Sequence, residues 1–160
     1  MTPRDVSPDD LDLPAILALI QSAFAPMEGR VNPPSSIRHL TLDRLRDHAA
    51  RRELWVIDRP SGAAVIATVQ TDALYLGKLA VARDRRNLGL ARGLVEHLAQ
   101  HARALGLPCL RLQTRVELTE NHAVFAALGF TETARTTHPG FAAPTSLTME
   151  RPNYSVSRFT

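Results

Sequence analysis

At 160 residues the chain has the length of one domain, with enough of it to bury a core. Its 44% apolar and 22% charged content is that of an ordinary globular protein, and its net charge of +3 sets eighteen arginines and one lysine, spread along the sequence, against sixteen acids, which does not indicate a nucleic-acid surface. A single cysteine, Cys109, excludes an internal disulfide framework and suits a reducing cytoplasm; no apolar run approaches the ~20 residues that span a bilayer, and the acidic start MTPRDVSPDDLDLP lacks the apolar core of a secretory signal.

Arg4 to Val6 reads as a short first strand. Ser7-Pro8-Asp9-Asp10 carries helix-start chemistry, with Pro14 pushing the regular helix to begin near Asp12. Leu13, Ile16, Leu17, Ile20 and Phe24 then recur at helical spacing, and Pro26 closes the element. Met27 to Ser36, with one glycine and two adjacent prolines, is a loop. Thr41 to Arg52 is a second helix with Leu42, Leu45 and Ala49 inward. Leu54 to Asp58 and Ala63 to Thr71 are strands joined by the turn Arg59-Pro60-Ser61-Gly62.

Leu74 to Ala82 is apolar at nearly every position, which predicts a strand buried on both faces. In the helix that follows, Leu90, Leu94, Leu98, Ala102 and Leu105 form the inward stripe, and Gly106 stands at its C-terminal cap. Cys109 to Val116 alternates as a strand, Asn121 to Leu128 is a short helix, and Thr131 to Thr137 pairs with Ser146 to Arg151 around His138-Pro139-Gly140. One domain over 1–160 is expected, with a core over 1–151 and a tail from Pro152.

The stretch from Leu74 to Gly106 says most about function. A strand feeds a basic loop, and the loop opens a helix at Arg86-Asn87-Leu88-Gly89-Leu90-Ala91. First-turn amides have no intrahelical partner and the helix dipole is positive there, so the geometry favours a phosphate.

Arg86, Gly89 and Ala91, placed after the strand end Leu79-Ala80-Val81, resemble the acetyl-CoA signature of the GNAT family of N-acetyltransferases. A second element about thirty residues on, Asn121-His122-Ala123-Val124-Phe125-Ala126-Ala127-Leu128-Gly129-Phe130, is similar to the family as well. The resemblance covers nearly the whole chain. It implies an α/β fold of the α+β type: a mixed, mostly antiparallel twisted sheet of about seven strands, about four flanking helices, and strands 4 and 5 splayed apart for the cofactor's pantetheine arm. It implies acetyl-CoA as cosubstrate.

The resemblance also assigns roles. Backbone groups of Leu79, Ala80 and Val81 would orient the thioester and its developing oxyanion. Amides of Asn87, Leu88, Gly89, Leu90, Ala91 and Arg92, with charge from Arg86 and Arg92, would hold the pyrophosphate. Asn121 matches a position that touches the pantetheine arm, and is equally a candidate helix cap. Many relatives place a proton-donating tyrosine where this chain has Phe125, which cannot donate. A thiol with a pKa of about 8.5 leaves without a dedicated acid, if slowly, near neutral pH.

Three residues are candidates for the base: Glu28 in the loop that covers the acceptor site in relatives, Tyr75 on the cofactor strand, and His138 in the last hairpin. Tyr75, a poor base at a pKa of about 10, reads rather as a core aromatic, and His138 rather as a turn residue. His97 and His101 stand at metal-ligand spacing but lack the rest of a zinc motif, so no metal is expected.

The resulting expectation is direct acetyl transfer from acetyl-CoA to a primary amine of a small molecule. Two alternatives stay open: a CoA-binding sensor that has lost catalysis, and an acetyltransferase of a protein or tRNA-linked amine. The last hairpin and the tail are candidates for a homodimer contact. The acceptor's identity is not written in the sequence.

Overall fold

The computed structural model describes residues 2–58, 62–86 and 89–153. Among them run seven strands and four α-helices: β1 (Arg4–Asp5), α1 (Leu13–Phe24), α2 (Leu42–Ala50), β2 (Leu54–Ile57), β3 (Ala63–Val69), β4 (Leu74–Val81), α3 (Leu90–Ala104), β5 (Cys109–Arg115), α4 (Thr119–Ala127), β6 (Thr131–Thr136) and β7 (Ser146–Pro152). The sheet order is β1-β2-β3-β4-β5-β7-β6. The pairs β1–β2, β2–β3, β5–β7 and β6–β7 are antiparallel, and β4–β5 is parallel. The sheet is therefore mixed and mostly antiparallel, as the sequence led one to expect. The described β4–β5 pairs are Leu74 with Leu110 and Tyr75 with Arg111, both at the beginning of β4.

The chain divides into two compact units, Met1–Ala67 with Leu76–Leu94, and Thr68–Tyr75 with Val95–Thr160. In the first, Leu13, Ile16 and Ile20 put one face of α1 into a core shared with Leu45 and Ala49 of α2, Leu54 and Val56 of β2, Ala64 and Ile66 of β3, and Ala80 of β4. Pro14 causes no break because it occupies the first turn of α1, where its missing N–H would have had no partner. Asp12, not Ser7, stands at the cap position. Pro26 does not end the helical path abruptly; Ala25–Met27 continue it as a 3-10 turn. Thr41 caps α2 through its side chain, which accepts from the Arg44 N–H at 3.2 Å.

In the second unit Val95, Leu98, Ala99 and Ala102 of α3 are buried, as are Leu110 and Leu112 of β5 and Leu147 and Met149 of β7. Leu105 was expected to complete the α3 stripe, yet it is 48% exposed, since the helix has ended at Ala104 and Gly106 turns the chain away with φ of +76°. No α4 residue is buried; Leu118 and Leu128 on either side of it anchor it instead. β6 is exposed at all six positions and pairs with β7 alone.

Candidate active site

The strand β4 departs from its sequence reading. Leu74, Leu76 and Ala80 are buried, while Tyr75, Lys78, Leu79 and Val81 are only half-buried. Its interior contains a left-handed residue, Lys78, at φ of 57°. For a residue with a Cβ this backbone is strained. The Lys78 ammonium donates to Ser36 Oγ at 2.8 Å, tying the strand to the segment after α1.

After β4 the chain is pinned twice to the β2–β3 hairpin. The Ala82 N–H donates to the Gly62 carbonyl at 2.8 Å. In the short 3-10 turn Arg83–Arg85, the Arg85 guanidinium pairs with the Asp58 carboxylate. Arg83 and Arg86 remain exposed and, with Ser22, Val81 and Ala82, line a water-sized cleft of about 20 Å³. Asn87 and Leu88 lie outside the described residues, as do Arg59, Pro60 and Ser61 of the expected hairpin turn.

Gly89 has φ of +76° and, among the described residues beyond its chain neighbours, no heavy atom within 4 Å of where a Cβ would stand, so backbone conformation demands glycine. Its carbonyl accepts from the Gly93 N–H at 2.9 Å, which opens α3. Gly93 in turn lets the helix settle on β2, since a Cβ there would stand 3.1 Å from Ile57 Cδ1. The first turn of α3 holds no acidic side chain, and Arg92 is exposed within it. Helices usually place acids there; a cation opposes the dipole unless an anion compensates. Leu90 is buried, Ala91 half-buried. These residues fit a phosphate-bearing ligand.

Glu28 follows the 3-10 turn at the end of α1 and is exposed. It stands at a cavity of about 110 Å³ whose apolar wall is Phe24, Met27, Val31, Pro34 and Ile37.

The other candidates belong to the second unit. Burial pushes the Tyr75 phenol above its ordinary value, with a backbone hydrogen bond from Gln113 opposing the shift in part, so it stays protonated near neutral pH. Asn121 lies three residues after the cap position Leu118, so the capping alternative does not hold. Phe125 packs edge to face on the buried Phe130, with ring centroids 6.3 Å apart. The His138 N–H donates to Thr145 Oγ1 at 2.9 Å, its ring nitrogen Nδ1 contacts the same oxygen, and its ring packs against Phe141. Burial pushes the Cys109 thiol up, with Glu150 adding to the effect, and the Sγ approaches the Asp72 carbonyl at 3.6 Å. Among the described residues no group of three or more His, Cys, Asp or Glu side chains is arranged to hold a metal.

The sequence profile of the Acetyltransferase (GNAT) family matches residues 15–130. The chain belongs to that family. No curated protein matches it in sequence. Among solved structures it resembles the ribosomal-protein-S18-alanine N-acetyltransferase of Escherichia coli at 21% identity, over 99% of this chain and 97% of that one, with a TM-score of 0.65. It also resembles a GNAT acetyltransferase of Streptococcus agalactiae (14% identity, 96% of each chain, TM-score 0.74). A third is the PaiA N-acetyltransferase of Thermoplasma acidophilum in complex with coenzyme A (13% identity, 94% of this chain and 97% of that one, TM-score 0.73). GNAT proteins are N-acetyltransferases that use acetyl-CoA, and the protein is accordingly an acyltransferase with an acyl-CoA donor. No described helix is long and apolar enough to cross a membrane.

Sequence reasoning passed over Lys78, Ser36 and Asp58. Lys78 left one trace, as a lone charge within an apolar strand. Asp58 left a weaker one, an acid closing a strand directly before a turn.

Proposed function

We propose that this GNAT protein moves an acetyl group from acetyl-CoA directly to the primary amine of a small molecule. The observation that carries the reading is the run from the left-handed Lys78 to the helix start at Gly89, flanked by Arg83, Arg86 and Arg92 and without an acid in the first turn. Amides at the start of α3, from Gly89 to Arg92, hold the pyrophosphate, and Arg86 adds charge. Main-chain groups of Leu79, Ala80 and Val81 orient the thioester, whose activated acyl carbon is the chemistry the cosubstrate supplies. Asn121 steadies the pantetheine arm.

In the transfer, a C–N bond forms as the C–S bond breaks. The amine must first be neutral, and Glu28 takes its proton, directly or through water. Tyr75, held protonated by burial, is not the base. His138 shapes the last hairpin. Phe125 leaves the departing thiolate to collect its proton from water. A covalent enzyme intermediate is disfavoured because the chain's sole thiol, Cys109, is pushed away from its reactive thiolate form.

Calorimetric titration with acetyl-CoA and with CoA, followed by thiol release over a panel of amines, tests this reading. Saturable binding near one-to-one with thiol release supports it. Tight CoA binding with no turnover on any amine points to a sensor, and transfer confined to peptides points to a protein acceptor. Absence of binding overturns the phosphate cradle.

A further inference from the structure

The cavity at the end of α1 has a composition that narrows the acceptor. We infer that it takes a monoamine: an ammonium group against Glu28 joined to one compact branched alkyl group, seated among Phe24, Met27, Val31, Pro34 and Ile37. The inference rests on the acetyl-transfer reading and names the acceptor class for it.

Size is the first argument. The cavity measures about 110 Å³, and an apolar void of about 150 Å³ is enough to hold benzene. The cavity is thus smaller than a ring needs, and it matches a four- or five-carbon branched group.

Chemistry is the second. Five apolar side chains and one carboxylate match an amine that is charged at one end and greasy at the other. A polyamine would bring a second ammonium to a lining that holds one carboxylate, Glu28, and no second one. It would also approach the Lys78 ammonium, which is bound to Ser36 beside the lining residue Ser35.

Position is the third. Ser35 lines the cavity, and its neighbour Ser36 is held at 2.8 Å by Lys78, the residue immediately before Leu79 on β4. One lysine side chain thus separates the cavity rim from the strand whose main chain orients the thioester.

The test compares isoamylamine, phenethylamine, 1,4-diaminobutane and a tripeptide beginning with leucine, by thiol release with acetyl-CoA. A parallel titration measures isoamylamine binding with and without CoA. The expected result is a kcat/KM for isoamylamine at least tenfold above that for the diamine, in line with the roughly 10- to 200-fold that a fitted or missing methylene is worth. Met27→Trp, which fills the cavity, raises the isoamylamine KM about tenfold and leaves CoA affinity unchanged. Ile37→Ala, which enlarges it, moves the preference towards phenethylamine, and both variants are checked by thermal melting. A diamine that equals or exceeds isoamylamine overturns the inference. So does an isoamylamine KM indifferent to both variants, or a tripeptide preferred tenfold over every free amine. Loss of CoA binding, by contrast, overturns the acetyl-transfer reading, and the titration without CoA then decides the cavity alone: binding supports it and no binding sinks it.

Discussion

Arg85, in the basic loop that precedes α3, is neutralised by Asp58 at the end of β2, so it anchors the loop while Arg83 and Arg86 face the cleft. Asp58 itself has φ of 54°. Asparagine tolerates that backbone nearly as well, so Asp58→Asn removes only the ion pair. For a pair this exposed the expected cost is about 0.2–1 kcal/mol, with CoA affinity falling about two- to fivefold as the loop loosens. Asp58→Val adds the left-handed penalty, about 1–2 kcal/mol more. Denaturant unfolding and calorimetry on the two variants separate the contributions. Equal stability of the two would show that the backbone conformation at Asp58 is inconsequential.

Gly62 is the second anchor. A Cβ there would meet the Ile57 carbonyl oxygen at 2.3 Å and the Asp58 carbonyl oxygen at 2.5 Å, both main-chain atoms that cannot swing aside. Gly62→Ala therefore destabilises the protein by about 1–3 kcal/mol, the usual range for overpacking. Because the Gly62 carbonyl receives the Ala82 N–H, CoA affinity falls as well. A melting temperature unchanged by the substitution would contradict the crowding.

Lys78 and Ser36 are forty-two residues apart in sequence and joined by one hydrogen bond. Ser36→Ala and Lys78→Met each remove it, and the double variant is expected to cost less than the sum of the two. The coupling is about 0.5–1.5 kcal/mol. Lys78→Val, a β-branched residue forced into left-handed backbone, costs about 1–3 kcal/mol by itself. A double-mutant cycle in urea measures both, and strict additivity would rule out the coupling.

Asp72 gives the protein an acid-sensitive contact. Arg111 donates to its two carboxylate oxygens at 2.9 and 3.0 Å, and also to Glu150 at 2.6 Å. The Arg111 hydrogen bond holds the Asp72 carboxyl below its ordinary value of 3.8, with burial opposing weakly. The unfolded chain thus takes up the proton first as pH falls. The stabilisation is complete above the ordinary value and disappears as pH drops through the lowered native one. Wild type should exceed Asp72→Asn in urea midpoint at pH 6 and converge with it towards pH 2. A gap independent of pH would mean that charge contributes nothing there.

Phe125→Tyr installs the phenol that many GNAT relatives carry. The expected effect is a rise in kcat at pH 7 that fades by about pH 9, where a thiol of pKa about 8.5 leaves as thiolate unaided. CoA affinity should change less than twofold. A flat ratio of variant to wild type across the pH range would show that departure of the thiolate does not limit turnover.

Periodicity carried most of the fold. Leu13, Ile16 and Ile20 read as a helix face because their spacing is set by the same geometry that buries them, and Leu110, Leu112 and Thr114 read as one face of a strand for the same reason. The strand end, the glycine and the helix start on which the proposed phosphate cradle rests were legible because they lie within a dozen residues of one another. Lys78 was not legible, since left-handed backbone at a lysine is imposed by the surrounding sheet and not by its own propensity. The Asp58–Arg85 pair was hidden for a related reason: twenty-seven residues separate its partners, and only the folded hairpin brings them together. Leu105 shows the converse error, because an apolar residue in phase with a stripe stays outside once the helix has already ended.

Lysine usage has a practical consequence. Within these 160 residues Lys78 is the only lysine, and it sits half-buried on β4 with its amine on Ser36. Amine-directed reagents such as activated esters, which label most proteins at many exposed places, have one side chain to find here. Coupling a dye or a surface through lysine chemistry will mark the strand β4 or mark no side chain at all. The extent of labelling with and without CoA or an amine then reports directly on access to that strand.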